Sequence, residues 1–186
     1  MEALKTSLVN TPRSLSKQAR RKQLIEATIK CIADKGLSGT TMADVTQQAG
    51  LSLGIVNLHF QSKEKLLIET MRYISNEYTN GLTKIFNDQS LNTEQKILAH
   101  INFDFSRNII DRNKLAVWFA FWGETKSRPT YFSICASYIN EIANNLTELF
   151  VLLKQQGGYK QVNPELVCTC YTALSDGLWL DLLVTP

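Results

Sequence analysis

Residues 41–60 read TMADVTQQAGLSLGIVNLHF. Thr41 offers an N-cap, because its side-chain oxygen can accept a backbone N–H left unpaired in a first helical turn. The segment Met42–Ala49 that follows places Met42, Val45 and Ala49 on one face. Gly50 offers a stop, since glycine takes up the left-handed conformation without steric cost. Ser52 offers a second N-cap, and a second short helix follows, roughly Leu53 to His59. Two short helices joined by a tight glycine turn make a helix-turn-helix, in which the second helix enters the DNA major groove. In that second helix Val56 and Phe60 lie four apart and pack inward. Leu53, Gly54, Ile55, Asn57 and His59 are left for the outer face. Asn57 can pair with adenine, while Leu53 and Ile55 can touch thymine methyls. Gly54 costs about 1 kcal/mol inside a helix. Either close approach of DNA to the backbone or a packing contact would account for it.

Working outward, helical periodicity fills almost the whole chain and strand signals are nearly absent. Residues 1–15 read as a mobile basic arm, with Pro12 opposing an early helix. A first helix runs from Ser16 to Lys35 on a stripe of Leu24, Ile25, Thr28, Ile29 and Ile32, and ends at Gly36. Ser62 caps a fourth, with Leu66, Leu67, Thr70, Met71 and Ile74 inward. Further on, Asn92–Gln95 has the form of a capping box, leading into an apolar helix over 97–110. Asp111 caps a helix through Trp118 to Glu124. Pro129 opens a long helix to about Gln156, ended by Gly157-Gly158. A final helix runs from Leu166 to Leu183. The fold class is therefore all-α: a three-helix helix-turn-helix head over 16–80, including the start of a connecting helix, joined to a C-terminal helical bundle over 81–186.

Charge supports a polyanion partner for the head. Residues 1–72 hold eleven Lys and Arg against six Asp and Glu, a net +5, while the remainder is −2. The helix N-termini at Thr41, Ser52 and Ser62 cluster, and each presents N–H groups suited to a phosphate oxygen. Lys63 adds a cation beside one of them. Other chemistry is thinly represented. Cys31, Cys135, Cys168 and Cys170 lack zinc-ligand spacing and read as reduced thiols. His59 belongs to the DNA-facing motif, and His100 stands alone in a helix as a structural residue. There is no phosphate loop, nucleophile elbow or metal-ligand cluster, so neither an enzyme, a cofactor nor a metal is expected. No run of eighteen apolar residues and no signal-peptide core occurs, which points to a cytoplasmic protein without a membrane partner.

Residues 20–67, with paired arginines opening the first helix, then G-x-x-x-T-T, A-G-L-S and H-F-x-x-K-E-x-L, resemble the DNA-binding head of TetR-type regulators. The resemblance implies an all-helical homodimer that binds a palindromic operator and is released by a small molecule in its body. It also implies that Thr41, Ser52, Leu53, Gly54, Asn57, His59 and Lys63 fall at DNA-contact positions. The chain departs from the family at Asn57-Leu58, where many relatives carry an aromatic pair.

The body is rich in aromatics. Trp118 and Trp122 are four apart on one helical face with Phe121 beside them, and Asp176 and Trp179 are three apart on another. Asn102, Phe103 and Asp104 form a third group. Rings beside a carboxylate suit a quaternary ammonium ion, through cation–π and Coulomb attraction; the same tryptophans can equally fill a bundle core. These motifs, in this order, resemble the body of BetI-type repressors, which sense choline and repress genes for its conversion to glycine betaine. That resemblance implies a choline-like effector at Asn102, Phe103, Asp104, Trp118, Phe121, Trp122, Asp176 and Trp179. A regulator answering another cationic or aromatic compound, such as an efflux substrate, is the alternative. Against that family's pattern, the arm before Arg20 is long and the chain stops at Pro186. The apolar stripe Ile134, Tyr138, Ile142, Leu146, Leu149 and Leu153 is the expected dimer face.

Overall fold

A computed structural model describes residues 16–185, so the N-terminal arm expected over 1–15 lies outside the described residues. Eight helices follow in order: α1 (Lys17–Gly39), α2 (Met42–Ala49), α3 (Leu53–Phe60), α4 (Lys63–Asn87), α5 (Thr93–Asp104), α6 (Arg112–Glu124), α7 (Pro129–Gly157) and α8 (Pro164–Val184). The protein is all-α, with a helix-turn-helix head on a helical body.

Local signals set these boundaries. The Ser16 hydroxyl accepts from the Ala19 N–H at 3.2 Å and starts α1. Gly36, at φ +72° and ψ 172°, breaks the helix in a conformation open to glycine, and a last short turn then reaches Gly39. Thr41 and Asp44 form a reciprocal capping box on α2, and Gly50 closes that helix in the left-handed region. Asn92 and Gln95 form a second box on α5. Pro129 and Pro164 occupy first-turn positions of α7 and α8. One boundary differs from the sequence reading: the helix expected to reach residue 110 stops at Asp104. The chain instead turns through 105–110, which drives Ile109 into the core.

The head packs α1, α2 and α3 around Leu24, Ile32, Val45, Val56 and Phe60, each 0–2% exposed. Long α4 leaves the head at Lys63 and runs into the body, where Tyr78 and Leu82 are buried. Its first turn is tied to the start of α7, with Arg128 Nη1 3.1 Å and the Tyr131 hydroxyl 3.2 Å from Glu64 Oε2. One hydrophobic core therefore extends from Leu24 to Trp179, and α1 packs more extensively on α6 than on any other helix.

The expected dimer stripe is corrected. Tyr138, Ile142, Leu146 and Leu149 are buried within the chain, and Ile134 and Leu153 are half-buried, because α5 and α8 already cover that side of α7. The apolar surface left open lies elsewhere, at Phe132 and Ile139 of α7 and at Leu166, Leu174, Leu178 and Val184 of α8. By length and composition α8 is apolar enough to cross a membrane, and few of its residues are buried.

Candidate DNA-reading helix and ligand cavity

In the head, the geometry starts from the buried pair Val56 and Phe60, which seats α3 against α1 and α4. Arg21 secures the end of α3: its guanidinium lies 4.5 Å from the Phe60 ring centre, donates to the His59 carbonyl at 3.1 Å and pairs with Glu69 at 2.5 Å. Leu53, Gly54 and Asn57 are exposed, in keeping with an outer face. Ile55 and His59 are half-buried, because at about 100° per residue they flank the inward pair. Nδ1 of His59 is buried without a hydrogen-bond partner. The sequence reading omitted Leu58, whose side chain is 77% exposed.

The three polar positions expected at phosphates differ in how free they are. The Thr41 hydroxyl donates to Asp44 at 2.6 Å within the capping box. The Lys63 ammonium donates to the Ser38 carbonyl at 3.1 Å. Ser52 stands at the N-cap of α3 but makes no side-chain capping bond, leaving that terminus open.

In the body, a cavity of about 120 Å³ opens between α4, α5, α6, α7 and α8. Five residues singled out in the sequence meet there: Asp104 from α5, Trp118 and Trp122 from α6, Asp176 and Trp179 from α8. Three others do not. Asn102 is exposed on the far side of α5. Phe103 packs on Gly81, where an added Cβ would sit 2.1 Å from its ring, and so serves the α4–α5 contact. Phe121 is fully buried against Tyr131, with ring centres 4.7 Å apart.

Tyr78, His100, Tyr138 and Tyr171 also line the cavity and were missed as site residues. Two signals existed in the sequence. His100 and Asp104 are four apart on α5, and Tyr171, Ser175 and Trp179 recur every four residues on α8. His100 is thus part of the cavity wall rather than an isolated structural residue.

The rings meet edge to face: Trp118 and Tyr138 at 5.0 Å, Tyr78 and Trp179 at 5.6 Å, Tyr78 and Trp118 at 6.1 Å. The Trp122 indole N–H donates to the Tyr138 hydroxyl. The lining includes two carboxylates and no lysine or arginine.

Those carboxylates differ. Asp104 is 1% exposed and fully engaged. It accepts from the Tyr78 hydroxyl at 2.6 Å and the Tyr171 hydroxyl at 3.0 Å, with His100 Nδ1 3.4 Å away. Its backbone carbonyl accepts from the Trp179 indole at 3.1 Å. Since the single Tyr171 proton goes to Asp104, the 2.7 Å contact to His100 requires Nδ1 of the ring to donate. Nε2 of His100 is buried and has no partner. Asp176, by contrast, has no hydrogen-bond partner among the described residues. Burial, followed by repulsion from Asp104, pushes its carboxyl up to about 6. Burial also pushes the Tyr78, Tyr138 and Tyr171 hydroxyls up, so all three stay protonated donors.

A basic head with an exposed helix-turn-helix sits on a body that holds an aromatic cavity with two carboxylates. Residues 24–70 match the model for bacterial regulatory proteins of the tetR family, and residues 93–186 match the BetI-type transcriptional repressor C-terminal model. The HTH-type transcriptional regulator BetI of Burkholderia mallei is 30% identical over 169 residues, spanning 91% of this chain and 84% of its own. The BetI regulator of Escherichia coli is 29% identical over 167 residues, spanning 87% and 80%. Among solved structures, a protein from Pseudomonas aeruginosa PAO1 described as a transcriptional regulator superposes with a TM-score of 0.80 at 26% identity, covering 93% of this chain and 83% of its own. A regulator from Saccharomonospora viridis, solved in complex with choline, superposes at 0.77 with 18% identity over 90% and 87%, a likeness of fold. The chain belongs to the TetR family of bacterial transcriptional regulators, and within it to the BetI type.

Proposed function

We propose that this regulator is a repressor that binds a palindromic operator as a homodimer in the cytoplasm and is released by a small organic cation, choline or a close relative. The observation that carries the cation reading is Asp176. Among the described residues it is a partly buried carboxylate with no hydrogen-bond partner, in a cavity walled by Trp118, Trp122, Tyr138 and Trp179 and lined by no lysine or arginine. A quaternary ammonium satisfies that charge without demanding hydrogen bonds, and the ring faces attract it further. A hydroxyl on the same molecule would give the buried Nε2 of His100 the donor it lacks. The choline bound by the Saccharomonospora viridis protein of the same fold supports the same reading.

DNA contact is assigned to Thr41, Ser52, Leu53, Gly54, Asn57 and Lys63, with Ile55 and His59 at the edges of the face. Dimerisation is assigned to the exposed apolar residues of α7 and α8. Leu166, Leu174 and Leu178 surround Cys170, Ala173 and Gly177, small side chains that let a partner helix come close. Ligand would shift the balance between DNA-competent and incompetent head arrangements.

Anisotropy of labelled upstream DNA, titrated with protein with and without choline, tests both halves. Choline should weaken binding, and Trp118→Ala or Trp179→Ala should abolish that response in the fraction of protein that remains folded and binds DNA. Specific DNA binding unmoved by choline would retain the regulator and discard this effector.

A further inference from the structure

We infer that the outward face of α3 is built to read adjacent A·T base pairs, with Leu58 as a specificity-determining residue that packs on thymine methyl groups. The inference rests on the head being a DNA reader. Leu58 projects about 160° from both Val56 and Phe60, in the middle of the outward side of the helix. Its 77% exposure is the largest of any big apolar side chain among the described residues. Leu53, 49% exposed, stands at the N-terminal end of the same helix. Between them Gly54 leaves the backbone bare. A Cβ there would meet nothing closer than Ser52 Oγ at 3.9 Å, and its φ is not left-handed, so neither packing nor conformation calls for glycine. What remains is close approach by something outside the chain.

The chemistry of the face then selects the partner. Residues 53–60, LGIVNLHF, include no lysine or arginine to grip the O6 and N7 of guanine, and no carboxylate to accept from cytosine. Asn57 is the one exposed amide, matched to N6 and N7 of adenine, and the leucines match the C5-methyl of thymine. Attraction to the phosphates comes from around the helix, from the basic head and from the uncapped N-terminus at Ser52.

The test begins with selection from a randomised duplex library by the full-length protein. Enriched half-sites should carry adjacent A·T pairs where α3 docks. Anisotropy on the winning duplex is then repeated with the docked thymines replaced by deoxyuridine, which removes only methyl groups. The wild type should lose about fourfold in affinity per contacted methyl. Leu58→Ala should lose as much on the thymine duplex and become indifferent to uracil exchange at the thymine that residue 58 contacts, while keeping the wild-type response at the thymine facing Leu53. Asn57→Ala should relax the preference at a single A·T pair. G·C pairs enriched at the docked positions, or a Leu58→Ala protein as sensitive to uracil as the wild type, would overturn the inference. A library with no enrichment would remove the operator reading itself, and this inference with it.

Discussion

Asp104 and Asp176 share one cavity and one residue type, yet their neighbours give them opposite work. Two tyrosine hydroxyls donate to Asp104, which serves to hold α4, α5 and α8 in register. Asp176 faces only burial and the charge of Asp104, so its carboxyl releases its proton near pH 6. The folded chain thus holds that proton more tightly than the unfolded one, whose carboxyl titrates near 3.8. Without ligand, this group favours the folded state more as pH falls from about 6 towards 4. Cation binding has the opposite sense, because a protonated Asp176 offers no charge. Calorimetric titration with choline should show affinity falling about fourfold from about pH 7.5 to about pH 5.5. In Asp176→Asn the affinity should be weak and flat across that range; a wild-type profile in that variant would remove Asp176 from the site. The sequence reading reached the tryptophans and both aspartates because rings and acids stand out at helical spacing. It missed Tyr78 and Tyr138 as cavity residues because only the packing of α4 and α7 with the other body helices brings them to the cavity.

The short helices of the head were the most legible part of the chain, since each carries its start and stop within ten residues. Capping chemistry is local, so Thr41 and Gly50 delimit α2 independently of packing, and Asp44 completes the box in the structure. Orientation was harder to read. Leu58 was passed over, although two inward residues already define the opposite side of a helix. Thr41 and Gly54, each near the start of a short helix, now separate in consequence. Thr41→Ala should cost about 1 kcal/mol of stability, since it removes the hydroxyl that accepts from the Asp44 N–H and leaves only the backbone half of the capping box. Gly54→Ala should instead raise stability by up to about 1 kcal/mol, an increase of about 2–4 °C in melting temperature, because alanine gains helix propensity and touches nothing. The same substitution should weaken operator binding. Thermal melts and anisotropy on one preparation separate the two effects. A Gly54→Ala protein that is less stable would mean that the glycine serves the fold after all.

At the scale of the molecule, amphipathic periodicity showed that α7 and α8 have apolar surface but could not divide it between inside and outside. The stripe through Tyr138, Ile142 and Leu146 turned inward to line and support the cavity, so the proposed pairing falls to the exposed apolar residues of α8. The paired substitution Leu174→Glu and Leu178→Glu should therefore give a helical monomer in sedimentation velocity, with operator affinity sharply reduced. A dimer that persists would place the partner elsewhere.

The packing of α1 on α6 reaches further. The helix that anchors the reading head rests on the helix that carries Trp118 and Trp122, and the core runs without interruption between them. Severing the head would strip a cover from α6 and expose apolar side chains on both sides of the cut. Head and body should then melt together as one cooperative unit, and any substitution that loosens the cavity's wall would also lower the fraction of molecules with a folded, DNA-competent head, whether or not effector is present.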